Sequence, residues 1–474
     1  MSGNSLANLA LAVLVVLPAV FPETAIGVAA PASRALSYAL DVTFIPEKSS
    51  LEGTARIMLS DVPTACDTLD LYLHGELQFT GASCGGVELD GSQDLVFYGS
   101  DYSSVARRLR LVVAGADLSR GLDIAWRGPM HPSTARALSN YMRIDADGVF
   151  LRSYGYSVWF PLLLADGQES YPVDFDPVVL RTPSDMKPVF TGTRLDEHLD
   201  EDQRVTTWRA KGMDIFSAQC TARPYREIVA GPLHIYHLPD PESAEAADHV
   251  LDLVRRLLDF YAENYRHGVA VGELHVAQLC RFGNISSGNM VGLADDSWAG
   301  FEPGSYSGLT LAHELVHPFV RVPVPESSPL YALFVEGFPS YCHLPALASF
   351  LGDGWYNEIM DGIASGYAQK RATGKDRRGR TLPPATPFLE MTPKDIGTYK
   401  DWYLFPDRLR LYFDDLRRRL GDEEFLDLVG EIVNQDTLDP AGLRRIVVRH
   451  LPEFGAMHDR WLATNDFDAG MGRQ

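Results

Sequence analysis

The sequence predicts an α+β multidomain protein, with an antiparallel β domain over residues 35–231 and a mainly helical domain over 232–474. Two observations carry the division. Apolar residues recur with period two through the first half, and the spacing changes to three and four after Gly231. A third observation locates the chemistry: His313, Glu314, His317 and Glu336 fall in the helical half at spacings that let them share one site.

The first 34 residues precede the β pattern. Leu6 to Phe21 is apolar with Pro18 inside it, and small residues follow in Val28-Ala29-Ala30-Pro31-Ala32-Ser33. This reads as a secretory signal peptide or N-terminal anchor over 1–34, although Met1 to Asn8 holds no Lys or Arg. An exported location (secreted, periplasmic or cell-surface) is expected, with the membrane met only through that segment if it is not cleaved. No other stretch is long and apolar enough to span a bilayer.

Four sets of alternating residues define strands in the β domain. They are Tyr38, Leu40, Val42 and Phe44; Leu69, Leu71 and Leu73; Leu109, Leu111 and Val113; and Leu122, Ile124 and Trp126. After Gly231, Ala246, Val250, Val254, Leu257 and Tyr261 follow helical spacing, Leu274 to Leu279 reads as a strand, and 407–463 reads as helical. The length of 474 residues is consistent with two to four domains, and a composition of 46% hydrophobic and 22% charged residues is that of an ordinary globular chain. A net charge of -21 argues against nucleic-acid or anionic-membrane partners. Five cysteines are too few for a disulfide scaffold, and no CxxC suggests a cysteine metal site; Cys66 and Cys84 flank one strand pair and are the candidates for a bridge.

His313 and His317 are four residues apart, so a helix puts them on one face, with Glu314 beside them. Eighteen residues separate His317 from Glu336. Two imidazoles and a carboxylate make a three-ligand zinc set with the fourth position open for water, the arrangement of a catalytic zinc. With 13 His and 63 Asp plus Glu in 474 residues, a His-acid-x-x-His pattern arises by chance about 0.05 times per chain, so the motif is informative. Ser305 and Ser307 are candidate caps for this helix, and Leu311 and Leu315 face a core. Ser328 and Pro329 begin a second helix carrying Glu336. Pro318 and Pro339 interrupt the two helices just after their ligands.

These residues resemble the gluzincin zinc aminopeptidases, the family of membrane alanyl aminopeptidase and leukotriene hydrolase. Its Glu lies in a WLNEGFA-like string, matched here by Leu333-Phe334-Val335-Glu336-Gly337-Phe338-Pro339. Pro224-Tyr225-Arg226-Glu227-Ile228-Val229-Ala230-Gly231 and Leu416-Arg417-Arg418-Arg419-Leu420-Gly421-Asp422-Glu423-Glu424-Phe425 resemble further family strings. The resemblance implies a saddle-like β domain and a thermolysin-like catalytic domain. It also implies one Zn2+ held by His313, His317 and Glu336, Glu314 as general base, and a peptide substrate. Larger members continue with a helical domain, so a short form with a more open cleft is expected. The family's G-x-M-E-N string, whose Glu holds the substrate amine, corresponds to Gly288, Asn289 and Met290, with a neutral amide in place of the charge. The family's oxyanion-stabilising tyrosine corresponds best to Tyr403, with Tyr399 and Tyr412 nearby; its Y-x-K-G string is absent.

The expected activity is hydrolysis of peptide bonds by a zinc metallopeptidase, aminopeptidase-like, with Glu314 as base. A non-peptidase zinc hydrolase and a catalytically degenerate peptide-binding protein on the same scaffold are the alternatives.

Overall fold

The computed structural model describes residues 34–463 apart from 61–66, 99–103, 132–141, 153–157, 164–170, 266–271, 281–284, 318, 321, 323, 325–327, 332, 376–378, 380, 382–386, 391–404 and 436. The expected export segment over 1–34 therefore lies almost wholly outside the described residues. So do Tyr399, Tyr403 and Pro318. No helix among the described residues is long and apolar enough to cross a membrane.

Two compact units divide the chain. A β-rich unit holds the described residues of 34–247 and 272–299, and a helical unit holds those of 248–265 and 300–463.

An eight-stranded sheet dominates the β-rich unit. Its strands lie in the order Thr193–Asp200, Gln203–Asp214, Pro172–Pro183, Arg34–Ile45, Ser50–Ser60, Leu122–Pro129, Gln78–Cys84 and Val87–Glu88. Alternate residues Tyr38, Leu40, Val42 and Phe44 are buried, which is what period two requires of a strand with one covered face. Tyr38 stacks on Phe175 at 5.3 Å and meets Phe160 edge-on at 5.5 Å, so aromatic packing reinforces area burial in this core. The expectation of an antiparallel domain needs correction. Arg34–Ile45 pairs in parallel with Pro172–Pro183, Val42 opposite Leu180, and the sheet is mixed. Alternation reports which face is covered; it is blind to strand direction, because the side-chain period is two in either pairing.

A five-stranded sheet in the same unit is also mixed, in the order Arg226–Ala230, Leu233–His237, Leu274–Leu279, Met290–Ala294 and Ile285–Ser287. Its three central strands are buried at every residue, the pattern of strands covered on both faces. Cys84 is a free thiol whose Sγ donates to the Asp117 carbonyl, and Cys66 lies outside the described residues.

The helical unit carries the histidines and Glu336. Its helices are α1, the part of Pro241–Asn264 from Asp248 onward; α2, Tyr306–Val316; α3, Pro339–Leu351; α4, Asp353–Thr373; α5, Phe405–Leu420; α6, Asp422–Val433; α7, Pro440–His450; and α8, Gly455–Ala463. Phe338, Tyr341 and Phe413 pack ring against ring between α3 and α5.

Candidate metal centre

Helix α2 presents the first two candidate ligands. Ser305 caps it, its side-chain oxygen accepting from the Gly308 amide at 3.3 Å. Gly308 is required there, because a Cβ would lie 2.1 Å from the Pro303 carbonyl oxygen. Leu311 and Leu315 are buried, and Tyr261 of α1 donates to the Ala312 carbonyl at 2.9 Å, fixing the helix against its neighbour. The helix ends at Val316, and His317 is its C-cap in helical geometry. The helix thus stops two residues before Pro318, and both histidines remain on its face.

Glu336 arrives by a different local structure from the helix expected near Leu330. Ser328 Oγ does accept from the Leu330 amide at 3.2 Å. Leu333–Gly337, however, forms a π-helical turn, and α3 begins only at Pro339. Pro339 occupies the first turn, where its missing N–H costs nothing. The extra residue of a π turn re-aims a side chain, and such turns recur at functional sites. Gly337 is dictated by packing: a Cβ there would lie 1.9 Å from Leu409 Cδ1 of α5.

The structure brings His313, His317 and Glu336 together, with one ligand atom from each lying within 4.8 Å of the others. His317 Nε2 is 3.3 Å from His313 Nε2, and His313 Nε2 is 3.4 Å from Glu336 Oε2. Tetrahedral zinc with bonds of about 2.0–2.1 Å places neighbouring ligand atoms about 3.3 Å apart. Those two separations therefore fit such an ion. Glu314 is 4% exposed on the same helix.

The electrostatics suit a cation. Burial lowers His313 to about 3, with the nearby Arg410 charge adding to the shift. Burial and then His313 lower His317 to about 4, against an opposing pull from Glu336. Both imidazoles are neutral at physiological pH, the form that offers a lone pair to a metal. Burial also drives His343 well below its ordinary value.

Two neighbours were not singled out in the sequence. Arg410 of α5 donates through Nε to the Ser340 carbonyl at 3.0 Å. Its Nη1 is 3.4 Å from Asp407, which in turn accepts from Lys370 at 2.6 Å. A buried row of alternating charge thus runs from α4 through α5 toward the turn that carries Glu336. The available signal was an arginine inside the apolar run Leu409 to Phe413. His343 of α3 is the second, its ring centroid 5.5 Å from that of His313. It sits seven residues after Glu336, two turns along a helix, which is its only sequence signal.

Other candidate residues have structural partners. Asn289 Oδ1 accepts from the Gly192 amide at 2.7 Å, and its Nδ2 donates to the Gly192 and Glu273 carbonyls at 2.9 and 2.6 Å. Gly288 has φ +56°, and Met290 is fully buried in the five-stranded sheet. Asn289 ties that sheet to the backbone at Gly192. Tyr412 is committed to His458 Nδ1 at 2.8 Å.

A mixed-sheet unit and a helical unit match the fold of M1 zinc metallopeptidases of known structure. The M1 zinc metallopeptidase of Deinococcus radiodurans superposes with a TM-score of 0.62 at 16% identity, over 92% of this chain and 96% of that one. A mutant of that enzyme bound to a Tyr-Ser-Ala substrate gives 0.60 at 16% identity, over 91% and 94%. Native yeast LTA4 hydrolase gives 0.63 at 14% identity, over 92% of this chain and 69% of that one. No family model and no curated protein matches the sequence.

Proposed function

We propose that the chain is a zinc-dependent metallopeptidase of the gluzincin type, with a thermolysin-like catalytic domain that hydrolyses peptide bonds. The observation that carries the reading is the convergence of two neutral imidazoles and a buried carboxylate within 4.8 Å of one another, two of the three separations being 3.3 and 3.4 Å, in a chain with the M1 fold. His313, His317 and Glu336 would hold the ion. Bound there, zinc supplies Lewis acidity toward a substrate carbonyl and a water molecule.

The chain's own residues do the rest. Glu314, one residue from His313 and shielded from bulk solvent, takes the proton of the attacking water and returns it to the leaving amine. Neutral histidines leave Glu336 and Glu314 as the acidic groups of the motif. Tyr403 is the proposed donor to the oxyanion. Export is proposed from the apolar run Leu6 to Phe21.

The partners of Asn289 favour a second reading of the substrate. Both of its amide hydrogens and one oxygen lone pair are spent on backbone groups. It offers little to a substrate ammonium, which supports cleavage that does not depend on a free N-terminus.

One peptide, supplied with a free and with an acetylated N-terminus, tests both readings on the zinc-loaded protein. Cleavage of the free form alone makes the chain an aminopeptidase with its amine anchor elsewhere. Equal cleavage makes it an endopeptidase. Cleavage of neither, with zinc demonstrably bound, overturns the peptidase reading.

A further inference from the structure

Among the described residues, the buried Nδ1 of His313 has no hydrogen-bond partner. The Nε2 of the same ring faces His317 Nε2 and Glu336 Oε2. A neutral imidazole that gives its Nε2 lone pair to a cation carries its proton on Nδ1. A buried donor left without an acceptor is destabilising, because it has lost its hydration and gained no partner. Metal-binding histidines almost always spend that N–H on a carboxylate, a carbonyl or a water, and the bond fixes tautomer and ring angle.

His343 is the neighbouring polar ring. It is 3% exposed, and its plane stands at 88° to that of His313 with centroids 5.5 Å apart. At this centroid distance the two rings are not in direct hydrogen-bond contact, and one water is enough to bridge from His313 Nδ1 to the His343 ring. The tautomer of His343 follows from its own contact. Its Nδ1 lies 3.0 Å from the Pro339 carbonyl oxygen. A carbonyl only accepts, so the proton of a neutral His343 is on Nδ1 and its Nε2 holds a lone pair. That is the complement of the donor His313 must satisfy.

We propose that His343 is a positioning residue of the metal site: one water accepts the Nδ1–H of His313 and donates to His343 Nε2, and this bridge sets the tautomer and angle with which His313 binds the ion. The proposal rests on the zinc reading above. It gives Pro339 a part as well, since the Pro339 carbonyl orients His343 as His343 orients His313.

The test is zinc affinity, measured by competition with a chromophoric chelator on the wild-type chain and two variants. His343→Phe keeps a flat ring and removes the acceptor. His343→Gln restores an acceptor oxygen. The expected result is a loss of about 10–100-fold in affinity for His343→Phe, the usual cost of losing such a partner, and recovery of most of it in His343→Gln. A phenylalanine variant that binds zinc as the wild type does overturns the proposal, as does a glutamine variant no better than the phenylalanine one. If the phenyl ring prevents folding, the cobalt-loaded wild-type protein decides by nuclear magnetic resonance. A hyperfine-shifted, slowly exchanging ring N–H with a contact to the His343 ring supports the proposal, and a rapidly exchanging one overturns it. A wild-type chain that binds no zinc removes the reading beneath the proposal. Tight wild-type binding that His343→Phe leaves unchanged removes the proposal alone.

Discussion

Glu314 and the two histidines beside it separate binding from chemistry. Glu314 is buried on the ligand helix but does not belong to the cluster of His313, His317 and Glu336. Glu314→Gln preserves volume and removes the base. It is expected to keep zinc affinity within a few-fold and to lower kcat by about 10²–10⁴-fold, read by peptide hydrolysis at fixed metal occupancy. A variant that keeps both zinc and full turnover would sink the assignment. This part of the site was legible because helix geometry converts a spacing of four into adjacency without knowledge of anything distant. His343 and Arg410 were not legible for the opposite reason. Each matters through a neighbour on another element, and no periodicity in its own segment points across that gap. Asn289 shows a further limit of string similarity, which does not reveal that its side chain is bonded to the Gly192 backbone, a contact spanning 97 residues.

At the level of elements, short strands and turns are held by ion pairs that also escape sequence patterning. Glu227, in the Pro224–Gly231 string, accepts from Arg194 at 2.8 Å, Lys187 at 2.8 Å and His234 Nδ1 at 2.8 Å. It thereby clamps Lys187–Phe190, Thr193–Asp200 and Leu233–His237 to its own strand. Burial pushes the carboxyl up, but the hydrogen bonds from Arg194, Lys187 and His234 outweigh burial and hold it at about 2. A carboxyl whose folded value lies below its unfolded value of about 4.5 stabilises the fold fully above that pH. The contribution is lost as pH falls through about 2. Glu227→Gln is therefore expected to cost about 2 kcal/mol at pH 7, with the gap to wild type closing between pH 4.5 and 2, as read by denaturant unfolding. A gap that stays constant down to pH 2 would mean the loss is one of packing rather than charge. The strands themselves were legible from alternation, whereas the parallel pairing of Arg34–Ile45 with Pro172–Pro183 and the π turn at Leu333–Gly337 were not. Both depend on what lies alongside: a partner strand more than a hundred residues away, and Leu409 pressing on Gly337.

For the molecule as a whole, the two compact units carry different liabilities. The metal ligands lie in the helical unit and the Glu227 clamp lies in the β-rich one. An ion bound only by the folded state stabilises by an amount set by its free concentration over its dissociation constant, about 2.7 kcal/mol at a hundredfold excess. In a unit of this size that corresponds to roughly 5–10 °C in Tm. Chelation is therefore expected to lower the thermal stability of the helical unit by that amount and to leave the β-rich unit where it was. Acidification toward pH 3 should weaken the β-rich unit through Glu227, and the helical unit as well, because burial keeps His313 and His317 neutral only down to about 3 and 4. Hydrogen exchange read by mass spectrometry can assign each loss, with peptides from Tyr306–Val316 reporting the first and peptides from Arg226–His237 the second. Loss of protection in both segments under chelator alone would mean that the chain unfolds as one cooperative body. The metal would then stabilise the entire fold rather than the unit that binds it.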